Sequence, residues 1–192
     1  MNESGPRVAP LDAAAAKAAA AEAGLPEAMA ELNVFRILLR HPQLARRVND
    51  LLLTQLFSGH LDRRLRELII MRIGWATACD YEWTQHWRVA QQFGVEPEDL
   101  LAVRDWRSSD RFGATERAIL AATDETLASG CVSAETWADC ERALPSAEER
   151  LELVSAISTW HFISEMAKTL QIPLEQGVAS WPPEGEKPTG AS

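Results

Sequence analysis

The chain has 192 residues, 46% of them hydrophobic, and carries a formal charge of −9 with a pI near 5.0. That length supplies material for one domain with a full apolar core, while the acidic balance argues against a nucleic-acid partner, whose binding rests on clustered Lys and Arg. Three cysteines, Cys79, Cys131 and Cys140, form an odd set without CxxC spacing, so neither a disulfide framework nor a zinc ribbon is indicated.

The opening "MNESGPRVAP" lacks the apolar core of a signal peptide. No uncharged apolar run approaches the ~20 residues of a membrane span, so a cytoplasmic protein without a membrane partner is expected. Residues 1–11 carry two prolines and no hydrophobic period, and "WPPEGEKPTGAS" at 181–192 is rich in Pro, Gly and charge. Such compositions bury too little to offset their ordering entropy, which predicts flexible tails at 1–11 and 181–192 around a helical domain at 12–180.

"LDAAAAKAAAAEAG", ended by Gly24 and Pro26, has high helix propensity and almost no large apolar face. It is expected to pack weakly or against a partner subunit. From Asn33 to Ser58, Val34, Ile37 and Leu38, then Leu44, Val48, Leu51, Leu52 and Leu56 recur at helical spacing, and His41-Pro42 splits the run into two helices. A further helix is predicted from about Asp62 to Ala78, with Leu65, Leu68, Ile69, Ile73 and Ala76 as its stripe. Asp80 reads as the N-cap of the next, which Gly94 ends, and Pro97 opens the one after. Thr115 to Ser129 is helical, Ser133 caps a short helix, and Ser146 with Glu149 has capping-box spacing before a long helix that Pro173 closes. No strand pattern appears, so the fold class is all-α.

"ACDYEWTQH" at 78–86 lies at a junction between two of these helices. Glu82 and His86 are four apart and share a helix face, with Cys79 about one turn before Glu82. Glu67 falls near the apolar stripe of the preceding helix, and in a hairpin it could face His86. By spacing alone, Glu82 and His86 read more readily as a surface ion pair, Cys79 as a small buried hydrophobe, and Glu67 as a partner of Arg63, Arg64 or Arg72.

The order Glu67, Cys79, Glu82, His86, Ala90, Gly94 resembles the motif of the carboxymuconolactone decarboxylase and alkylhydroperoxidase D family, whose pattern is Glu-x11-Cys-x2-(Cys)-x3-His. "LRELIIMRIGWATACDYEWTQHWRVAQQFGV" is similar to the family's core helix pair and "FGATERAILAATDETL" to its later region. The resemblance implies an all-α bundle of the alkylhydroperoxidase D-like type that assembles as a homo-oligomer (trimer, hexamer or dimer), with the site near a subunit boundary. In the peroxidase members the second cysteine of a CxxC pair is the reactive thiol; here that position is Glu82, and the next cysteine after Cys79 is Cys131.

The departure favours the decarboxylase branch, where a histidine and acidic groups move protons on a small carbonyl or lactone compound without a metal or other cofactor. Glu67, Glu82, His86 and Cys79 are the expected catalytic residues, and Tyr81, Trp83, Trp87 and His161 the expected pocket residues, with core packing as the plainer reading of the aromatics. His41 and His60 fall at turns. Glu-x-x-His, which di-iron bundles use twice, is absent, so no metal is expected. The runner-up is a thiol peroxidase using Cys79, and a non-catalytic oligomeric binding protein is the third reading.

Overall fold

Local side-chain chemistry sets the helix boundaries. In this computed structural model, which describes residues 5–189, all regular structure is helical. Helix α1 (Ala13–Ala23) begins where Asp12 Oδ1 accepts the Ala15 N–H at 2.8 Å, and ends where Gly24 turns left-handed at φ 70°. Helices α2 (Asn33–Leu38) and α3 (Pro42–Phe57) are divided at Pro42, whose missing N–H costs nothing at a helix start; His41 Nδ1 caps α3 by accepting the Leu44 N–H at 3.2 Å. There follow α4 (Arg63–Ala76), α5 (Asp80–Gln92), α6 (Pro97–Ala102), α7 (Ala114–Ser129), α8 (Ala134–Ala143) and α9 (Ala147–Leu170). The expected capping box at the start of α9 forms, with the Glu149 N–H on Ser146 Oγ at 3.0 Å and the Ser146 N–H on Glu149 Oε2 at 3.0 Å.

Where length suggested one domain, the chain divides into two compact units: the chain up to Ser58 with Glu165–Val178, and Gly59–Ser164 with the segment from Ala179 onward. In the first, α1 lies on α3 and buries Ala16, Ala20 and Ala23. This is firmer packing within the chain than the composition suggested, because small side chains let two helix backbones approach closely. Residues 1–4 of the expected N-terminal tail lie outside the described residues. Farther on, Arg40 Nε donates to Ala9 O at 2.6 Å and Arg36 Nε to Leu11 O at 2.7 Å.

In the second unit α4 pairs with α5, α7 with α8, and α4 with α7. Gly74 lets α4 and α5 close together: a Cβ there would lie 3.0 Å from Trp83 N and 3.3 Å from its Cα. Arg72 Nε on Asp124 Oδ1 at 2.6 Å, with Trp106 Nε1 on Oδ2 at 3.0 Å, fastens α4 to α7.

Two expectations are corrected here. Asp80 is the first residue of α5 rather than its cap; Cys79 holds the cap position without a side-chain capping bond. The Asp80 carboxylate instead accepts Ser180 Oγ–H at 2.6 Å and the Trp181 N–H at 3.1 Å. The beginning of the expected C-terminal tail is therefore packed. Trp181 is only 2% exposed, and Trp83 Nε1 donates to Pro182 O at 2.8 Å. One large indole gives this polar stretch the burial that its average composition conceals. Residues 190–192 lie outside the described residues.

Candidate active site

A tight turn joins α4 to α5. Ala78 is left-handed at φ 53°, and the Cys79 N–H returns to Gly74 O at 2.8 Å. The hairpin brings Glu67, about two turns before Gly74, against His86, about one turn beyond Trp83. Glu67 is fully buried; its Oε2 lies 2.8 Å from His86 Nδ1, and its Oε1 accepts from Arg66 Nε at 3.2 Å and Nη2 at 3.0 Å. On the far side of the imidazole, Trp160 of α9 donates its indole N–H to His86 Nε2 at 3.0 Å. Because Nε2 accepts, the hydrogen-bond network assigns the ring proton to Nδ1, where it is donated to Glu67.

Glu82 lies one turn before His86 on the same helix and is 4% exposed. Its Oε2 is 3.9 Å from His86 Nε2 and has no hydrogen-bond partner. Burial disfavours the charged carboxylate, and with the charge of Glu67 adding to that and His86 opposing it, the Glu82 pKa is pushed up to about 7. For His86 burial disfavours the charged ring, but the Glu67 carboxylate outweighs it and, with Glu82, holds the imidazole above its ordinary value against the opposing charge of Arg66.

The remaining candidates fall around this centre. Cys79 is 1% exposed at the start of α5. Trp83 is fully buried in a tryptophan cluster, its ring centroid 5.2 Å from Trp75, 6.2 Å from Trp87 and 6.1 Å from Trp181, with the Arg104 guanidinium 5.0 Å above it. Tyr81 and Trp87 are buried and His161 is half-buried. Sequence reasoning singled out His161, whereas the side chain on α9 that reaches His86 is its neighbour Trp160. No spacing signals that contact, since 74 positions separate the partners. An open cavity of about 590 Å³ between α7 and α8, lined by Trp106, Thr115, Arg117, Asp139 and Arg142 among others, contains none of these residues. Among the described residues no cluster of three or more His, Cys, Asp or Glu is arranged to hold a metal ion.

The model of the carboxymuconolactone decarboxylase family matches residues 42–125, the stretch that carries Glu67, Cys79, Glu82 and His86. The likeness to that family covers less than half of the chain. No curated protein matches the sequence. Among solved structures, the debrominase Bmp8 is similar over 88% of this chain and 92% of its own, at 20% identity and a TM-score of 0.68. A cysteine-to-alanine variant of that debrominase has been solved in complex with 2,3,4-tribromopyrrole. An uncharacterized peroxidase-related protein from Ralstonia eutropha with an alkylhydroperoxidase AhpD core is similar over 82% of this chain and 81% of its own, at 19% identity and a TM-score of 0.67. At such identities the likeness is one of fold. Within the matched region, Glu82 presents a buried carboxyl.

Proposed function

We propose that the protein is a cofactor-free enzyme that moves protons on a small carbonyl or lactone compound, with decarboxylation as one form of the reaction. The observation that carries this reading is Glu82: a buried carboxyl with an unpartnered oxygen, 3.9 Å from an imidazole, titrating near pH 7. A carboxyl with that pKa is an efficient acid at neutral pH and, once it has given up its proton, an efficient base. In a decarboxylation the bond to the leaving carboxylate breaks, its electron pair moves into the neighbouring carbonyl as an enolate, and the Glu82 proton neutralises the oxygen. Glu67, held by Arg66, keeps the imidazole in place. The test is turnover of a panel of β-keto acids and carboxylated enol-lactones, followed by CO2 release and ultraviolet absorbance, in the native protein and in Glu82→Gln and His86→Ala. Turnover that both variants preserve dismisses the assignment.

A second reading, a thiol peroxidase using Cys79, is supported by the place of that thiol at the start of α5, where the helix dipole favours a thiolate. Against it stand the 1% exposure of Cys79 and the absence of a cysteine at residue 82. Hydroperoxide turnover with a thiol reductant that disappears in Cys79→Ser would establish it instead. In either case the working unit we propose is a homo-oligomer, supported by the exposed Leu151, Val154 and Phe162 along α9.

A further inference from the structure

We propose that Trp160 is a positioning residue whose indole N–H fixes which of two neighbouring side chains, Glu82 or His86, holds the exchangeable proton of the site. The inference rests on the acid–base reading above and deepens it by assigning protonation states that the four-residue motif leaves open.

The charges that face His86 come from two elements, Arg66 and Glu67 on α4 and Glu82 on α5, while α9 presents the neutral indole of Trp160. Arg66 and Glu67 cancel. One proton is then left for two homes: a neutral Glu82 beside a neutral imidazole, or an ionised Glu82 beside an imidazolium. Both arrangements have zero net charge, so burial of net charge does not choose between them. The carboxylates by themselves favour the imidazolium. The indole opposes it, because a lone pair that accepts an N–H at 3.0 Å cannot also take a proton while that donor stays in place. Nor can Glu82 share its proton with the ring directly, since 3.9 Å is beyond hydrogen-bond length. An ionised Glu82 would moreover leave Oε2 charged, buried and without a donor. Trp160 thus counteracts the upward push of the carboxylates on the imidazole and leaves the proton on Glu82, ready for a substrate oxygen. A ligand that pushes the indole aside frees Nε2 and opens the second home, which makes His86 the receiving station on the return step.

The test follows the ring nitrogens of His86 and the side-chain carboxyl carbon of Glu82 by NMR in isotope-labelled protein, without substrate. In the native protein at pH 7 His86 should show a protonated Nδ1 and a bare Nε2. In Trp160→Phe the pH at which His86 gains its second proton should rise by about one unit or more, a tenfold change in proton affinity. The Glu82 midpoint should fall in step. A native His86 already protonated at Nε2 at pH 7, or midpoints that stay where they were in the variant, overturns the proposal. Should Trp160→Phe fail to fold, benzothienylalanine introduced at position 160 keeps the ring shape and removes only the N–H, and the same shifts are required of it. Absence of turnover in the native protein would count against the acid–base enzyme alone, because these titrations require no reaction.

Discussion

Glu82 carries a cost to folding that can be measured separately from its chemistry. Its pKa of about 7 stands above the ordinary 4.5, so the folded protein keeps a proton that the unfolded chain releases. The associated stability is fully present below about pH 4.5 and is lost as the pH rises through about 7. Glu82→Gln does not titrate. Relative to the native protein it should therefore gain stability across that window, by on the order of 3 kcal/mol, and hold the gain above it. Urea unfolding at pH 5 and pH 8 measures this, and an equal gap at both values would sink the argument. The same variant should lose about 10²–10⁴ of turnover, the exchange of activity for stability expected where a strained group does the chemistry. At this scale the sequence showed part of the site. Four-residue spacing put Glu82 and His86 on one face, and the stripe of α4 put Glu67 inward. Trp160 left no trace, because a contact across 74 positions has no period to betray it.

At the level of elements, the site depends on how closely α4 and α5 can approach. Gly74→Ala places a methyl group 3.0 Å from the backbone nitrogen of Trp83, and a backbone in mid-helix cannot move aside alone. The variant should lose about 1–3 kcal/mol by overpacking, seen as a lower Tm. The NMR signal of the Nδ1 proton between His86 and Glu67 should weaken as the helices part; an unchanged Tm would mean that the hairpin yields freely. Trp181→Ala tests the C-terminal segment in the same way. Removing an indole that is 2% exposed should cost about 3–5 kcal/mol, whereas a loose tail would cost nothing. Helix boundaries were largely legible because caps and breakers act locally, as at Gly24, Pro42 and Ser146. What escaped were partners distant in sequence. Asp80 has the chemistry of a cap, but Ser180 and Trp181 occupy it, and α1 has the composition of a loosely held helix, but α3 lies against its alanines.

For the whole molecule, apolar exposure and net charge pull in opposite directions. Leu151 is 71% exposed, Val154 40% and Phe162 41%. At about 100° per residue these three fall within one side of α9. Single exposed apolar residues are ordinary, but a row along one helix face marks a surface that gains by being covered. No helix among the described residues is long and apolar enough to cross a membrane; the cover proposed above is a second copy of the chain. The native protein should then have a mass in solution that is a multiple of the 21.2 kDa chain, and Leu151→Arg with Phe162→Arg should reduce it to a single chain with unchanged helix content. Ionic strength separates the possible causes. Each chain carries −9, so copies repel one another, and salt screens that repulsion over about 8–10 Å at 0.1–0.15 M. An assembly held by the apolar face of α9 should therefore tighten as salt is added, while one held by ion pairs should loosen. A native mass of 21.2 kDa at every salt concentration would remove the oligomer from the proposal and require the site to work within one chain.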